Sequence, residues 1–223
     1  MSNARQLAWD AAGAAASALV RDRQRVGLGT GRAAAAGIRS LAARVAEGLT
    51  VVGVPTSRAS AELARGLGVR LGRLTDDLDL AFDGADAVDP SGLLVKGAGG
   101  AHVRERVVAV ASQRFVVLVD EPKLVSSLDA WGVLPIACLP FARERLLLEL
   151  ASLSPAPRPA RSDDGLVLID LHPPAGADWR ALAAGLRSRP GVVDHGLFDV
   201  APSDVFVGAV DGSCRTLAGG PAK

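Results

Sequence analysis

"VGLGTGRAAAAG", Val26–Gly37, sets a short apolar run against glycines at Gly27, Gly29 and Gly31, then continues as an alanine-rich segment. An apolar run that stops at glycines and resumes as helix formers describes a strand turning into a helix. Backbone N–H groups and the helix dipole make such a turn attractive to an anion. A dinucleotide fingerprint asks for G-x-G-x-x-G and an acid about 20 residues further on. Here Arg32 occupies the third glycine position, and the acid search lands on Glu47, which is not clearly at a strand end. A simple phosphate or sugar phosphate fits the turn better, with the Thr30 hydroxyl as an added donor. A tight turn with only a structural role stays open on this motif alone.

Outward from this unit the same alternation repeats. A helix over 5–22 precedes it, and 32–47 reads as the helix it opens. "LTVVGVPTS" (49–57) is a second strand, and "SRASAELARGLG" (57–68) a helix that Ser57 can cap and Gly66 and Gly68 can end. "VRLGRLTD" (69–76) reads as a short strand, "LDLAFDGAD" (78–86) as another, and "GGAHVRERVVAVASQ" (99–113) as a helix opening after glycines. "RFVVLVDE" (114–121) is β-branched on both faces, as a buried parallel strand is. Strands alternating with helices predict an α/β fold with an open, mainly parallel, Rossmann-like sheet flanked by helices.

After residue 131 the pattern changes. "GVLPIACLPF" (132–141) places prolines around an apolar run, "ARERLLLELASL" (142–153) is an amphipathic helix, and "SPAPRPARSDDG" (154–165) reads as a polar, Pro-rich loop. Strand "LVLIDLH", helix "DWRALAAGLRSRPG" and strand "VVDHGLFDV" follow, suggesting a smaller α+β module of ferredoxin-like type. "DVFVGAVDGSCRTL" (204–217) offers one or two strands that can return to the main sheet. The expected domains are 1–131, completed by about 206–223, and 132–205.

Composition narrows the function classes. The 223 residues carry 25 basic and 24 acidic side chains, which gives no reason to expect nucleic acid or a membrane surface as partner. No apolar run reaches the roughly 18 residues of a membrane span, and "MSNARQLAWDAAG" lacks the layout of a signal peptide. Cys138 and Cys214 stand singly and far apart and read as reduced, buried small hydrophobes. A compact cytoplasmic protein is expected. Of the 25 basic residues only Lys96, Lys123 and Lys223 are lysine. A compact ammonium with a tunable pKa suits a developing oxyanion, so the two internal lysines draw attention.

Four turns follow predicted strands, where an open parallel sheet gathers its ligand crevice: "GTGR" (29–32), "PTSR" (55–58), "DGAD" (83–86) and "KGAGG" (96–100). Asp83 and Asp86 flank Gly84-Ala85, and two carboxylates so close can push one pKa toward a proton-transfer range. Without further support, a turn cap and a solvated acid explain them as well. Lys96 precedes a glycine loop, Gly97-Ala98-Gly99-Gly100, whose amides can face an anion. Glu105 lies in the helix that this loop opens and can serve as a general base, although a surface carboxylate is the commoner outcome there. His102 has no nucleophile to pair with, and His172 and His195 lack metal-ligand spacing.

Taken in order, "VGLGTG", "GVPTS", "LDLAFDGADAVDP", "KGAGGAHVRE", "RFVVLVDEPKLV", "LPF", "LIDLH", "PGVVDHGLF" and "DGSCRTL" resemble the type A ribose-5-phosphate isomerases over about residues 5–217. The resemblance implies a cofactor-free, metal-free aldose–ketose isomerase of the non-oxidative pentose phosphate pathway, acting on ribose 5-phosphate and ribulose 5-phosphate. It implies Glu105 as general base, Asp83 in ring opening and proton shuttling, and Lys96 with the loop amides of Gly97 and Gly99 at the enediolate. Asp86 would orient sugar hydroxyls and Lys123 bind substrate. Gly29, Thr30, Gly31, Arg32, Ala33, Gly84, Ala85 and Ala98 would complete the substrate contacts. It also implies a homodimer or dimer of dimers.

The family's first loop usually reads G-T-G-S-T; this chain has Arg32 and Ala33 in place of both hydroxyls. Ala87 stands where an acid usually follows DGAD, and the N-terminal helix offers Arg5 in place of a lysine. Arg32 is therefore expected to serve as the anion clamp, because a guanidinium binds phosphate bidentately. A paralogue acting on another sugar phosphate, and a sugar-phosphate-binding module without turnover, stay open beside the isomerase.

Overall fold

The structure is a computed structural model that describes residues 3–218. In chain order the elements begin with α1 (Asn3–Ala18), β1 (Arg25–Leu28), α2 (Arg32–Ala46), β2 (Val52–Pro55), α3 (Arg58–Gly66) and β3 (Leu80–Gly84). Next come β4 (Ala87–Val88), β5 (Leu94–Val95), α4 (His102–Val110), β6 (Phe115–Asp120), α5 (Leu128–Trp131), β7 (Leu134–Cys138) and α6 (Arg143–Glu149). The chain then forms β8 (Ala156–Arg161), β9 (Val167–Leu171), α7 (Trp179–Arg187), β10 (Val192–His195), β11 (Leu197–Phe198), β12 (Asp204–Gly208) and β13 (Cys214–Ala218). Two units result. The first runs through Ala85 and takes in Arg104–Leu124 and the chain from Val200 onward; the second holds Asp86–Val103 and Val125–Asp199. Of the segment 206–223 expected to complete the first domain, the last five residues lie outside the described ones, as do Met1 and Ser2.

The first unit holds a six-stranded sheet in the order β13-β12-β6-β3-β1-β2. Every pairing in it is parallel except β12 with β13. All six residues of β6 are buried, which accounts for its unbroken apolar run. Helices α1 and α2 pack together over a core that includes Trp9, Ala12, Ala16, Ile38, Leu41 and Phe82. Gly13 lets the two helices approach closely: a Cβ there would lie 2.6 Å from Gly37 N. Ser57 caps α3 as expected, its hydroxyl accepting from Ser60 N. The strand expected over 69–76 reduces to a bridge between Leu71 and Gly53; Gly72 and the polar residues after it leave too short an apolar run to extend the ladder.

The second unit contains a four-stranded antiparallel sheet, β10-β7-β9-β8. Strand–helix–strand–strand–helix–strand in the spatial order fourth-first-third-second is the ferredoxin-like arrangement. Its core is built from Leu134, Ile136, Leu146, Ile169, Leu171, Trp179 and Leu186. The stretch expected as a Pro-rich loop contributes strand β8. Proline lacks an N–H and is tolerated at sheet edges and bulges, and β8 is an edge strand whose register shifts between Pro157 and Arg161. The single strand expected over 192–200 divides at Gly196 into β10 and β11, and β11 joins a small three-stranded sheet with β5 and β4. Gly196 leaves no space for a side chain, because a Cβ would overlap the Lys96 carbonyl oxygen. Cys138 is buried, whereas Cys214 is exposed at the start of β13, contrary to its expected burial. No helix of the described residues is long and apolar enough to cross a membrane.

Asp129 ties α5 to the first residue of α7 and to the turn before it. Its carboxylate accepts Trp179 Nε1–H at 2.7 Å and Gly176 N–H at 2.7 Å. These two bonds, the tryptophan's first, hold its pKa below the usual carboxylate range. A depressed folded-state pKa adds stability above the unfolded value and loses it as pH falls through the folded one. The wild-type Tm therefore falls on acidification below about pH 4. The Asp129→Asn Tm starts lower at neutral pH and varies less in that acid range. Parallel Tm–pH curves for the two proteins would contradict this.

Candidate active site

The carboxyl ends of β1, β2, β3 and β6 lie along one edge of the parallel sheet, and each is followed by a polar turn. Asp83 is the penultimate residue of β3 and only 3% exposed. Its Oδ1 accepts Thr30 N–H at 2.9 Å and Gly84 N–H at 2.7 Å. Two amide donors on one oxygen fix the carboxylate's direction. Gly29 lies against it: a Cβ there would overlap the carboxyl group and come 2.6 Å from Asp83 Cα. The Gly29 amide donates to Phe82 O at 2.9 Å, and the Ser60 hydroxyl donates to Gly29 O at 2.6 Å. The Thr30 and Thr56 hydroxyls are 2.7 Å apart, so the turns after β1 and β2 share hydrogen bonds.

Gly31, at φ +99°, is the N-cap of α2, a backbone angle that favours glycine. Arg32 opens that helix and is exposed, and Ala33 after it is buried. The Arg32 guanidinium lies 4.8 Å from the centroid of the Trp9 ring, and the Arg5 guanidinium 5.4 Å from the same centroid. Arg5 Nε also donates to buried Asp120 Oδ2 at 2.5 Å, at the end of β6. Lys123 is half-buried and ends the 3-10 turn Glu121–Lys123 that follows β6. Glu105, the fourth residue of α4, is 5% exposed. It is therefore not the surface carboxylate that a helical position more often supplies.

Gly84 and Ala85 end the opening stretch of the first unit, and the second unit carries the remaining expected residues. Gly84 and Ala85 are half-buried where the chain leaves β3, and Asp86 follows them. The Asp86 amide donates to Val95 O at 2.7 Å, and its Oδ2 accepts Ala98 N–H at 2.8 Å. Lys96, next after β5, is 2% exposed, and its Nζ lies 5.4 Å from the Phe198 ring centroid. The loop after it is a turn closed by Gly100 N–H on Gly97 O at 2.9 Å, with φ +108° at Gly97 and +75° at Gly100. Ala98 and Gly99 are exposed at its tip. His102, expected as a helix-terminus residue, is the first residue of α4 and fully buried, and a Cβ on Gly97 would lie 2.8 Å from its Nδ1.

Two features escaped the motif reading. One is the Trp9 ring with the Arg5 and Arg32 guanidinium groups against it; Arg32 is far from Trp9 in sequence, and no local pattern links the two. The other is Arg158 on β8, which donates to both Gly97 O and Ala98 O. The alternation "PAPRPAR" was its only trace: every second residue from Pro155 to Pro159 is proline, a pattern compatible with extended backbone.

These elements define an α/β protein with a Rossmann-like parallel sheet and a ferredoxin-like second unit. The profile of the family described as "Ribose 5-phosphate isomerase A (phosphoriboisomerase A)" matches residues 52–212. A ribose-5-phosphate isomerase A from Methanosarcina acetivorans is 40% identical over 219 residues, covering 93% of this chain and 92% of that one. One from Haloarcula marismortui is 42% identical, covering 95% and 96%. The solved ribose 5-phosphate isomerase A of Methanocaldococcus jannaschii superposes with a TM-score of 0.87 at 35% identity, covering 95% of this chain and 98% of that one. A D-ribose-5-phosphate isomerase in complex with phospho-erythronic acid also gives 0.87, at 32% identity over 94% and 97% of the two chains. The chain belongs to the ribose 5-phosphate isomerase A family.

Proposed function

We propose that this chain interconverts D-ribose 5-phosphate and D-ribulose 5-phosphate through an enediolate, without a cofactor. One observation carries the assignment of roles. Among the described residues, five carboxylate or ammonium side chains are buried, and three of them are Asp83, Lys96 and Glu105. Burying a charge is costly and is concentrated at functional sites. In the proposed reaction Asp83 exchanges protons with the sugar oxygens as the ring opens. Glu105 then removes the C2 proton of the aldehyde form and returns it to C1. Charge developing on the carbonyl oxygen is met by Lys96 and the loop amides of Gly97 and Gly99. Asp86 orients the sugar hydroxyls and Lys123 holds the substrate. The Gly29–Gly31 turn and Arg32 take the phosphate. Two thiols without a disulfide suit a reducing, cytoplasmic compartment. A homodimer or dimer of dimers, the family expectation, is checked by sedimentation.

The deciding experiment adds ribose 5-phosphate to the purified protein in a metal-chelating buffer and follows ribulose 5-phosphate. Formation of the ketose supports the isomerase. Binding without turnover of any sugar phosphate would establish the binding module instead. Arg32→Ala separates the phosphate rim from the chemistry. Its KM for ribose 5-phosphate rises by about tenfold with kcat nearly unchanged, since the phosphate contact is the same in ground and transition states. An unchanged KM removes Arg32 from the site.

A further inference from the structure

We propose that Arg158 is a positioning residue for the isomerisation, activating the glycine-loop amides through their own peptide bonds. The proposal rests on the isomerase reading above. Arg158 lies on β8, far in sequence from the loop it serves. Its Nη1 donates to Gly97 O at 2.8 Å and to Ala98 O at 3.0 Å. Its Nε and Nη2 donate to the two carboxylate oxygens of Asp170 on β9, at 2.8 and 2.6 Å. Arg158 and Asp170 side chains are 18% and 23% exposed, so the pair is largely shielded from water. Asp170 pairs with Ala156 across the β8–β9 ladder, so the carboxylate that holds the guanidinium stands on a paired strand.

The two carbonyls belong to consecutive peptide groups. The Gly97 carbonyl is bonded to the Ala98 nitrogen, and the Ala98 carbonyl to the Gly99 nitrogen. A cation on a peptide oxygen draws electrons from the amide at the other end and makes its N–H a stronger donor. The first peptide directs this toward Asp86, whose carboxylate accepts Ala98 N–H at 2.8 Å. The second directs it to the Gly99 amide, one of the donors proposed for the enediolate oxygen. The turn depends on left-handed backbone at Gly97 and Gly100, so pinning two of its carbonyls also fixes where its amides point.

An amide aimed at charge that appears only in the transition state changes kcat more than KM. Arg158→Met keeps the apolar stem and removes both carbonyl contacts. Its kcat falls about 10- to 100-fold, somewhat less than outright loss of an oxyanion donor, with KM for ribose 5-phosphate within about twofold. Methylguanidinium restores part of the kcat of Arg158→Ala. Phospho-erythronic acid, whose carboxylate supplies a terminal anion, loses affinity in Arg158→Met, whereas ribitol 5-phosphate, which has none, does not. In amide NMR of the full chain, the Ala98 and Gly99 protons shift upfield. If Arg158→Met does not fold, Asp170→Asn loosens the same guanidinium and lowers kcat severalfold. A wild-type kcat in folded Arg158→Met and Asp170→Asn overturns the proposal. So does a rise in KM equal to the fall in kcat, or unmoved Ala98 and Gly99 shifts. An inactive wild-type chain would instead overturn the isomerase reading, and the amide shifts would still test the brace.

Discussion

Glu105→Gln reduces kcat/KM for ribose 5-phosphate by about a thousandfold or more, while the protein stays folded and binds the substrate. A positioned general base contributes about 10²–10⁴ in rate, and glutamine cannot accept the C2 proton. Glutamine has nearly the volume and helix propensity of glutamate, so α4 keeps its packing at this buried position. Replacing a buried carboxylate by an amide also removes a desolvation cost, so the Tm does not fall in step with activity. Two readouts separate base removal from general damage. Exchange of the C1 and C2 protons with D₂O stops along with isomerisation, and Kd for ribose 5-phosphate stays within a few fold. Retention of more than a tenth of wild-type turnover would remove Glu105 from the role of base.

Gly29→Ala is expected to damage stability and catalysis together, for a reason that can be traced atom by atom. The added methyl would occupy the space of the Asp83 carboxyl group and approach Asp83 Cα at 2.6 Å. The Gly29 backbone cannot simply retreat. Its amide is bonded to Phe82 O at 2.9 Å and its carbonyl receives the Ser60 hydroxyl at 2.6 Å. Overpacking of this kind costs about 1–3 kcal/mol. A displacement near 1 Å at Asp83 costs roughly a hundredfold in turnover. Urea midpoints and kcat measure the two effects. Gly66→Ala is the control: it ends α3 with no neighbour within 4 Å of an added Cβ, so it should be neutral or slightly stabilising. Wild-type kcat in Gly29→Ala would mean that Asp83 tolerates displacement and is not a catalytic group.

How legible these features were depended on what kind of signal carried them. Strands β1, β2, β3 and β6 were readable because each is a short apolar run ended by a glycine or polar turn, and the helices between them follow at once. Asp83 and Lys96 stand out in the sequence because each adjoins a glycine in a strand-end turn, whereas Glu105 stands out only as a carboxylate in the helix that the glycine loop opens. Strand β8 was not readable. Its residues are mostly exposed, and its prolines argue for a loop until the sheet order makes it an edge. The division at Gly196 was hidden for another reason. "VVDHGLFDV" is uniformly strand-like, and only the approach of the Lys96 carbonyl shows why the glycine must interrupt it. Arg158 and Trp9 act across long sequence separations through contacts that no local pattern encodes.

The order of the main sheet also bears on how the chain is made. β6 has β3 on one side and β12 on the other, yet β12 leaves the ribosome some eighty residues after β6. Throughout that interval Phe115–Asp120, a strand destined for complete burial, keeps one ladder edge open. An open apolar edge of this kind is a template for pairing with another nascent chain. Within that interval Val125–Asp199, the larger part of the second unit, is synthesised, and it can condense before the first unit closes. The interval before β12 arrives is therefore when a growing chain most needs chaperone protection, and shortening it would favour soluble yield over aggregation.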